Sequence, residues 1–299
     1  MLPNKACDAF LAVAEYGHFE IAANKLNITA SAVTLRVQAL EKQLGQILIL
    51  RERPCRTTKA GQLLLDYLQH QRLKEEELLQ QLQGKNNLNQ FQQLKIASNA
   101  DSLATWLLPV LQNTLIQQQY TLHLTVDDQS QTHQLIENGQ VNACISSEAH
   151  SISGCVSHAL GSMTYSMVAT PKFQQQWFTY GMNRQTLRHA PAVIFNHKDL
   201  LHEEITRSLF GLNMQQYPYH LIPSSHTFID AIELGLGFGM APILQVQAQL
   251  KRGSLIKLIP EADTEVNLYW HHWKQQSQAL QTLTSVIIQE AQNRLNQHY

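Results

Sequence analysis

The spacing of apolar residues predicts two packed helices near the start of the chain. The first runs from about Phe19 to Leu26, and its small residues Ala22 and Ala23 would let a second helix approach closely. The second runs from Thr29 to Leu44, and its apolar residues recur at steps of four, three and four, at Val33, Val37, Leu40 and Leu44. Thr29 is a natural N-cap for it. Such a pair is typical of a DNA-binding helix-turn-helix, although an ordinary amphipathic hairpin has the same pattern.

The segments around this pair complete a small first unit. An earlier helix is predicted from about Lys5 to Tyr16, ended by Gly17. After the pair, the β-type run Ile47 to Leu50 is followed by the basic segment ERPCR and then by Thr57-Thr58. Two short strands with a turn between them would form a wing beside the second helix. Residues 1–58 are therefore predicted to be a winged helix-turn-helix domain.

A long helix is predicted next, from Thr58 to about Gln83. Its apolar seam is thin, and polar residues at Gln71 and Glu75 break a strict heptad. A seam of this kind needs a partner, which is either a second copy of the chain or another part of the same chain. We assign residues 59–92 to a linker and dimerisation helix that ends in the polar stretch Gly84 to Gln93.

From residue 93 the pattern alternates between strands and helices, which predicts an α/β domain with parallel strands, split into two lobes. The predicted strands are Leu94–Ala97, Tyr120–Asp127, Val141–Ser146, Ala192–Phe195, Tyr219–Ile222 and Glu265–Trp273. The predicted helices are Leu103–Thr114, Gln131–Asn138, Leu200–Phe210, Phe228–Leu234 and one that starts at Gln278. Lobe I would hold about 93–164 and 266–299, and lobe II about 165–265.

Composition narrows the function classes. The 299 residues are 44% hydrophobic, and no apolar run approaches the roughly 20 residues that span a bilayer. The first residues do not resemble a secretory signal, so we expect a cytoplasmic protein with no membrane partner. The four scattered cysteines indicate free thiols, and we expect neither a metal nor a cofactor. The chain has no P-loop, GxSxG or HExxH motif, which argues against an enzyme. The net charge is only −1, but residues 51–59 hold four basic residues and one acidic residue.

These features together resemble a LysR-type transcriptional regulator over essentially the full length. The residues that carry the resemblance are Phe10, Phe19, Ala22-Ala23, Leu26, Thr29–Thr34, Arg36, Leu40-Glu41, Leu44-Gly45, Arg51, Thr57-Thr58 and Ala60-Gly61. The resemblance implies a mainly α winged helix-turn-helix, a long linker helix and a two-lobed, periplasmic-binding-protein-like α/β effector domain. It also implies binding of double-stranded promoter DNA as a homodimer or homotetramer, with RNA polymerase as a further partner.

A narrower resemblance concerns the ArgP/LysG branch of that family. It rests on the segment Asn99–Pro109, NADSLATWLLP, and on Tyr269-Trp270-His271. This branch implies a basic amino-acid effector, lysine or arginine, and control of amino-acid export or metabolism genes. The alternatives are a LysR-type regulator for another small molecule and a cytoplasmic ligand-binding α/β protein or enzyme. Many relatives have Gln where this chain has Leu35, so its base preference should differ.

The candidate DNA-binding residues lie on the second helix and the wing. Ser31 and Thr34 can hydrogen-bond to bases or phosphates, and Leu35 suits a thymine methyl group. Arg36 is assigned to phosphate, and Arg51 and Arg53 to the minor groove, although each arginine could be a solvated surface charge. The full predicted set is Thr29, Ser31, Ala32, Thr34, Leu35, Arg36, Gln38, Arg51, Arg53, Thr57 and Thr58.

The candidate effector residues lie at strand ends and helix starts, where two-lobed α/β domains bind ligands. Ser102 begins a helix and suits an α-carboxylate, whereas neighbouring Asp101 could bind ligand or cap the helix. Asp127-Asp128 suit a cationic group or could form a solvated turn. Phe195 could pack on the ligand's aliphatic stem. The full predicted set is Asn99, Asp101, Ser102, Thr105, Asp127, Asp128, Phe195, His197, Ser224, Ser225 and Thr227.

Overall fold

The computed structural model describes residues 2–83, 91–127, 132–152, 154–197 and 200–295. A small helical head comes first. Its elements are α1 (Asn4–Tyr16), α2 (Phe19–Lys25), α3 (Ala30–Leu44), β1 (Ile49–Leu50) and β2 (Arg56–Thr57). Gly17 ends α1 in the left-handed conformation, with φ of 67°, which glycine adopts without steric cost. The two strands pair antiparallel and form the wing.

The head has its own apolar core, to which α1, α2, α3 and the start of the next helix contribute. Val33, Val37 and Leu40 are fully buried in it, as the spacing predicts. Leu44 is 38% exposed, so the prediction of a four-residue stripe was wrong at its last member. The helix ends at this residue, with Gly45 as its C-cap, so no further turn of α3 follows to cover the side chain.

The linker helix α4 spans Lys59–Gln83. The Thr58 hydroxyl accepts a hydrogen bond from the backbone N–H of Gly61 at 3.0 Å, so Thr58 caps the helix as predicted. Gly61 lies directly against the backbone of Leu48, where a Cβ atom would come within 2.1 Å of the carbonyl oxygen. Residues 84–90 of the predicted polar linker lie outside the described residues. Gln92 and Gln93 already belong to a strand, contrary to the prediction.

The remaining elements form the α/β part of the chain. The strands are β3 (Gln92–Ser98), β4 (Tyr120–Val126), β5 (Ala143–Ser146), β6 (Cys155–Ala169), β7 (Ala192–Ile194), β8 (Tyr219–Leu221), β9 (Gly239–Pro242), β10 (Ile256–Lys257) and β11 (Thr264–Trp273). The helices are α5 (Ala100–Ser102), α6 (Leu108–Gln117), α7 (Thr132–Glu137), α8 (Pro171–Trp177), α9 (Arg184–Leu187), α10 (Leu200–Phe210), α11 (Ser225–Glu233), α12 (Ile243–Arg252) and α13 (Gln278–Leu295). A π-helical turn, Leu103–Leu107, joins α5 to α6, and two 3-10 turns span Met214–Gln216 and Pro260–Ala262.

The main sheet is mixed, so the prediction of parallel strands was right for only part of it. Its order is β10-β6-β11-β5-β3-β4, with β9 also paired to β6. Only β3 pairs parallel with β4 and β5, whereas the pairs made by β6 and β11 are antiparallel. A second, two-stranded sheet pairs β7 and β8 in parallel.

Strand β6 runs through both lobes. Its first part pairs with β11, and its last residues pair with β9 and β10. At a bulge the register shifts opposite Gly161, whose φ of 127° favours glycine. This long strand and the returning β11 therefore form the two connections between the lobes, and the cleft opens beside them.

Burial follows these layers. One large apolar cluster packs α6, α10 and α13 on the main sheet, and a smaller one lies under α11 and α12. All four cysteines are free thiols. Burial raises the pKa of Cys155 to about 12, so this thiol stays protonated at neutral pH. Among the described residues, no helix has the length and apolar character needed to cross a membrane.

We expect the stability of the protein to fall as the pH drops from 6.5 towards 4, in part because of His202. This side chain is 1% exposed in α10, beside the rings of Tyr217 and Phe238, and burial lowers its pKa to about 4. The unfolded chain therefore binds a proton that the folded chain excludes, and the stabilisation present above pH 6.5 is lost below it. Between pH 7.5 and 5 the loss is about 2 kcal/mol.

Urea unfolding at the two pH values measures this effect. His202→Leu should reduce the pH dependence by about that amount, whereas His226→Leu, at an exposed position, should leave it unchanged. An equal pH dependence in wild type and His202→Leu would contradict the assignment.

Candidate DNA interface and effector cleft

Helix α3 presents one face to solvent and the other to the head. Thr29 caps it, since its hydroxyl accepts a hydrogen bond from the Ala32 N–H at 3.2 Å. Leu35 is 66% exposed, and Ser31 and Gln38 are also exposed. Ala32, Thr34 and Arg36 are half-buried. The Thr34 hydroxyl donates to the Ala30 carbonyl at 2.9 Å, which fixes its rotamer on this face.

A single carboxylate fastens the wing to α3. Glu41 accepts hydrogen bonds from the backbone N–H groups of Leu48 and Ile49, at 2.9 and 3.2 Å. Arg51 lies 4.0 Å from the other oxygen of Glu41, and its guanidinium sits over the Phe19 ring. The wing is thus held at a fixed position beside the exposed face of α3.

The predicted wing residues differ in exposure. Arg51 and Arg53 are exposed. Thr57 and Thr58 are half-buried, and their hydroxyls donate to Gln62 Oε1 at 2.9 Å and to the Ile47 carbonyl at 2.6 Å. The two threonines therefore stabilise the junction between the wing and α4.

A cavity of about 70 Å³ lies in the cleft between the lobes. Its described lining combines carboxylate, hydroxyl and aromatic groups from α5, β6, β9, α10 and α11. The lining residues are Asn99, Ala100, Asp101, Asp127, Tyr165, Phe195, Leu201, Ser225, Phe228, Met240 and Pro242.

Asp101 bridges the lobes across this cavity. Its Oδ2 accepts from the Tyr165 hydroxyl and its Oδ1 from the Ser225 hydroxyl, both at 2.8 Å. Ser225 is the first residue of α11, whose free N–H groups and dipole favour negative charge. Gln245 holds this serine from the other side, since its Nε2 donates to the Ser225 carbonyl at 3.2 Å. The carboxylate is therefore placed at a helix N-terminus that could also bind a ligand anion.

The structure brings together five of the eleven predicted effector residues, namely Asn99, Asp101, Asp127, Phe195 and Ser225. Asp128 lies outside the described residues. The other five, Ser102, Thr105, His197, Ser224 and Thr227, do not line the cavity.

Each of these five has another environment. Ser102 is fully buried on the inner side of the helical segment, and the Thr105 hydroxyl donates to the Asp101 carbonyl at 2.6 Å. The His197 ring meets that of Tyr219 edge-on, and Ser224 donates to Thr227 at 3.1 Å on the exposed side of α11. Ser102 lies next to Asp101 but does not line the cavity, because adjacent helical residues point about 100° apart, and its role towards an effector stays a prediction.

The lining residues that sequence reasoning missed are Ala100, Tyr165, Leu201, Phe228, Met240 and Pro242. Tyr165 lies on β6, a strand that the sequence did not reveal. Met240 and Pro242 lie on β9, after the glycines Gly235, Gly237 and Gly239. For β9, the available sequence signal was the short run FGMAP, which is typical of a chain that enters a buried strand.

The cavity is acidic. Among the described residues that line it, Asp101 and Asp127 carry charge and none is Lys, Arg or His. The side chains of Phe195, Phe228 and Met240 supply apolar surface. Two carboxylates beside apolar walls favour a ligand with a cationic end and an aliphatic stem.

The described residues thus form a winged helix-turn-helix head, a helix and a two-lobed α/β domain with a polar cleft. This combination defines the class of ligand-responsive regulators that bind DNA. Residues 5–62 match the bacterial regulatory helix-turn-helix family of lysR type, and residues 90–292 match the LysR substrate binding domain. The chain belongs to the LysR family of transcriptional regulators.

Individual relatives narrow this placement. The chain is 41% identical over 279 residues, 93% of each chain, to the HTH-type transcriptional regulator ArgP of Photobacterium profundum. Among solved structures it is similar to ArgP from Mycobacterium tuberculosis, with a TM-score of 0.78, 32% identity, and coverage of 97% of this chain and 98% of that one. It is also similar to full-length LysG from Corynebacterium glutamicum with bound effector Arg, with a TM-score of 0.76, 31% identity and the same coverage.

Proposed function

We propose that this chain is a DNA-binding transcriptional regulator whose effector is a basic amino acid, lysine or arginine. The observation that carries the effector class is the acidic cavity, where Asp101 and Asp127 are the charged groups among the described lining residues. The similarity to LysG, whose structure holds arginine as bound effector, supports the same class. We propose control of amino-acid export or metabolism genes.

The arrangement suggests how such a ligand would be held. Its ammonium or guanidinium group would pair with Asp101 or Asp127, and its stem would pack on Phe195. Its α-carboxylate would bind the N-terminus of α11, near Ser225. Ligand pockets usually measure about 300–1,000 Å³, so a cavity of about 70 Å³ requires the lobes to open before a ligand enters.

At the DNA, we propose that α3 enters the major groove with Ser31, Leu35 and Gln38 towards the bases. Their exposure and the capped N-terminus of α3 support this orientation. Arg51 and Arg53 on the wing would reach the neighbouring minor groove. Residues 1–58 would act as the DNA-binding domain, 59–92 as the linker and dimerisation helix, and 93–299 as the effector domain.

The remaining proposals follow from family membership. We infer a cytoplasmic homodimer or homotetramer that acts on promoter DNA, with contacts to RNA polymerase, and no catalytic activity of its own. A dimer would read two half-sites about 34 Å or a multiple of that distance apart on one side of the duplex.

Thermal-shift screening against the twenty amino acids, with and without operator DNA, tests the effector proposal. We expect lysine or arginine to raise the unfolding temperature and neutral or acidic amino acids to have no effect, since only a cation offsets two carboxylates. Stabilisation by a neutral or acidic amino acid alone would contradict a basic effector. Failure of the protein to bind any promoter fragment at low ionic strength would contradict the proposed role as a transcriptional regulator.

Arg36→Ala tests the contact with phosphate. We expect weaker binding to all DNA sequences alike and a salt dependence, log K against log[salt], that is shallower by about 0.9. Gel-shift titrations at several salt concentrations measure both, with Lys5→Ala on α1 as the charge-matched control. An unchanged salt dependence in Arg36→Ala would contradict the assignment of Arg36 to a phosphate contact.

Leu35→Gln tests base recognition. We expect altered base preference with overall affinity within a few-fold of wild type, because an amide replaces an apolar contact at the groove. Binding selection from a randomised operator library measures this. The same selected sequence for both proteins would place Leu35 away from the bases.

A further inference from the structure

Helix α7 lies between the effector cleft and the head of the same chain. It packs on β3, β5 and β11. Thr132, its first residue, is fully buried, and its hydroxyl donates to the Ile145 carbonyl of β5 at 2.6 Å. Ile136, near its end, shares a buried cluster with Ala97, Cys144 and Trp273. The helix is therefore fixed to the sheet along its length.

One neighbour of α7 is the strand end that carries the cleft. Ala97 and Ser98 are the last residues of β3, and the next residue, Asn99, lines the cavity. The Ser98 carbonyl accepts a hydrogen bond from the Asp127 N–H at 3.3 Å, which connects two walls of the cavity at this point. A shift of the β3 end on ligand binding would therefore press directly on Ile136.

The other end of α7 contacts the head and the linker helix. The carbonyl of Glu137 accepts a hydrogen bond from Gln62 Nε2 at 3.0 Å. Gln140, three residues later, donates through its side-chain amide to the Glu15 carbonyl at the end of α1. Between them Gly139 lies so close to Gln69 that a Cβ atom would come within 1.7 Å of the amide nitrogen.

Gln62 extends this contact into the wing. While its Nε2 donates to Glu137, its Oε1 accepts from the Thr57 hydroxyl of β2 at 2.9 Å. A continuous set of contacts thus leads from the cavity wall through α7 and Gln62 to the wing.

We propose that α7 and the following turn to Gln140 form an intrachain coupling element, which sets the orientation of the DNA-binding head according to the state of the cleft. The inference rests on the proposed function and adds the regulation of its site. Ligand binding at the strand ends displaces α7, and the Gln62 and Gln140 contacts transmit that displacement to α1, α4 and the wing. The two sites are coupled because each state of the cleft favours one head position.

Two substitutions break the contact at the head. Gln62→Leu and Gln140→Leu keep the side-chain size and remove the amide groups that bond to Glu137 and Glu15. The matched controls are Gln71→Leu, exposed on α4 and bonded to Tyr67, and Gln134→Leu, exposed on α7. The readout is the ratio of operator Kd without and with saturating arginine, from fluorescence anisotropy on the full chain.

We expect the factor by which arginine changes the operator Kd to be at least fivefold smaller in Gln62→Leu and in Gln140→Leu than in wild type. In both controls this factor should stay within twofold of the wild-type value. Affinity for arginine in the absence of DNA should remain measurable in all variants. A wild-type ratio in both head variants overturns the coupling element.

A second experiment needs no effector, so it separates failure of this inference from failure of the proposed function. Thr132→Val removes the bond that fixes the start of α7, and Thr282→Val on α13 is the control. Hydrogen–deuterium exchange should rise at least twofold over residues 132–142 and over wing residues 47–58 in Thr132→Val only. Wild-type exchange in the wing of Thr132→Val overturns the inference, whether or not 132–142 responds.

Discussion

Gly61→Ala is expected to unfold or misplace the head and abolish operator binding. A Cβ atom at position 61 would lie 2.1 Å from the carbonyl oxygen of Leu48 and 3.0 Å from its carbonyl carbon. That backbone cannot withdraw, because the Leu48 N–H is bonded to Glu41 and its carbonyl accepts from Thr58. Overpacking against fixed backbone should cost about 3 kcal/mol or more of head stability.

Urea unfolding and gel-shift titration measure the two consequences. Arginine binding should persist, since a Cβ atom at position 61 would clash with the Leu48 backbone of the head. Lys59→Ala, at the exposed start of the same helix, should change stability by less than about 0.5 kcal/mol. Operator affinity of Gly61→Ala within twofold of wild type would contradict the close approach of α4 to Leu48.

The head is the part that the sequence predicts best, because its structure depends on local contacts. Val33, Val37 and Leu40 repeat with the helical period and share one core. The cap residue Thr29 and the left-handed Gly17 and Gly45 mark the ends of helices by chemistry that acts within a few residues. Periodicity and end signals therefore agree, and both remain visible in one sequence.

Strand β6 shows what a single sequence hides. Its fifteen residues, Cys155–Ala169, cross from one lobe to the other and meet different neighbours along the way. Burial changes from partial in the first half to nearly complete in the second, so no period of two persists. The bulge at Gly161 shifts the register again. Because β6 pairs antiparallel with β9, β10 and β11, missing this strand also hid the mixed character of the sheet.

In the cleft, too, some residues can be predicted from the sequence and others depend on tertiary contacts. Residues beside strand ends, such as Asn99, Asp127 and Phe195, follow from the general position of ligand sites in α/β domains. The bonds from Tyr165 and Ser225 to Asp101 do not, because they join residues 64 and 124 positions apart. Only the tertiary arrangement identifies Asp101 as the group that both lobes bind.

Asp101→Asn is expected to weaken arginine binding by about 100-fold, within the 1.5–3 kcal/mol of a charge-assisted hydrogen bond. The substitution keeps the shape and lets the amide bond with the Tyr165 and Ser225 hydroxyls, so the closed cleft should persist. What it removes is one of the two carboxylate charges of the described cavity lining. Calorimetric titration of the full chain with arginine measures the change.

The control must separate local from overall charge. Asp230→Asn lies on the exposed side of α11, outside the described cavity lining, and changes the net charge by the same amount. It should bind arginine within twofold of wild type. Operator affinity without arginine should be unchanged in Asp101→Asn, because the head is not affected. Arginine affinity of Asp101→Asn within threefold of wild type would mean that Asp101 only holds the lobes together and does not bind the cation.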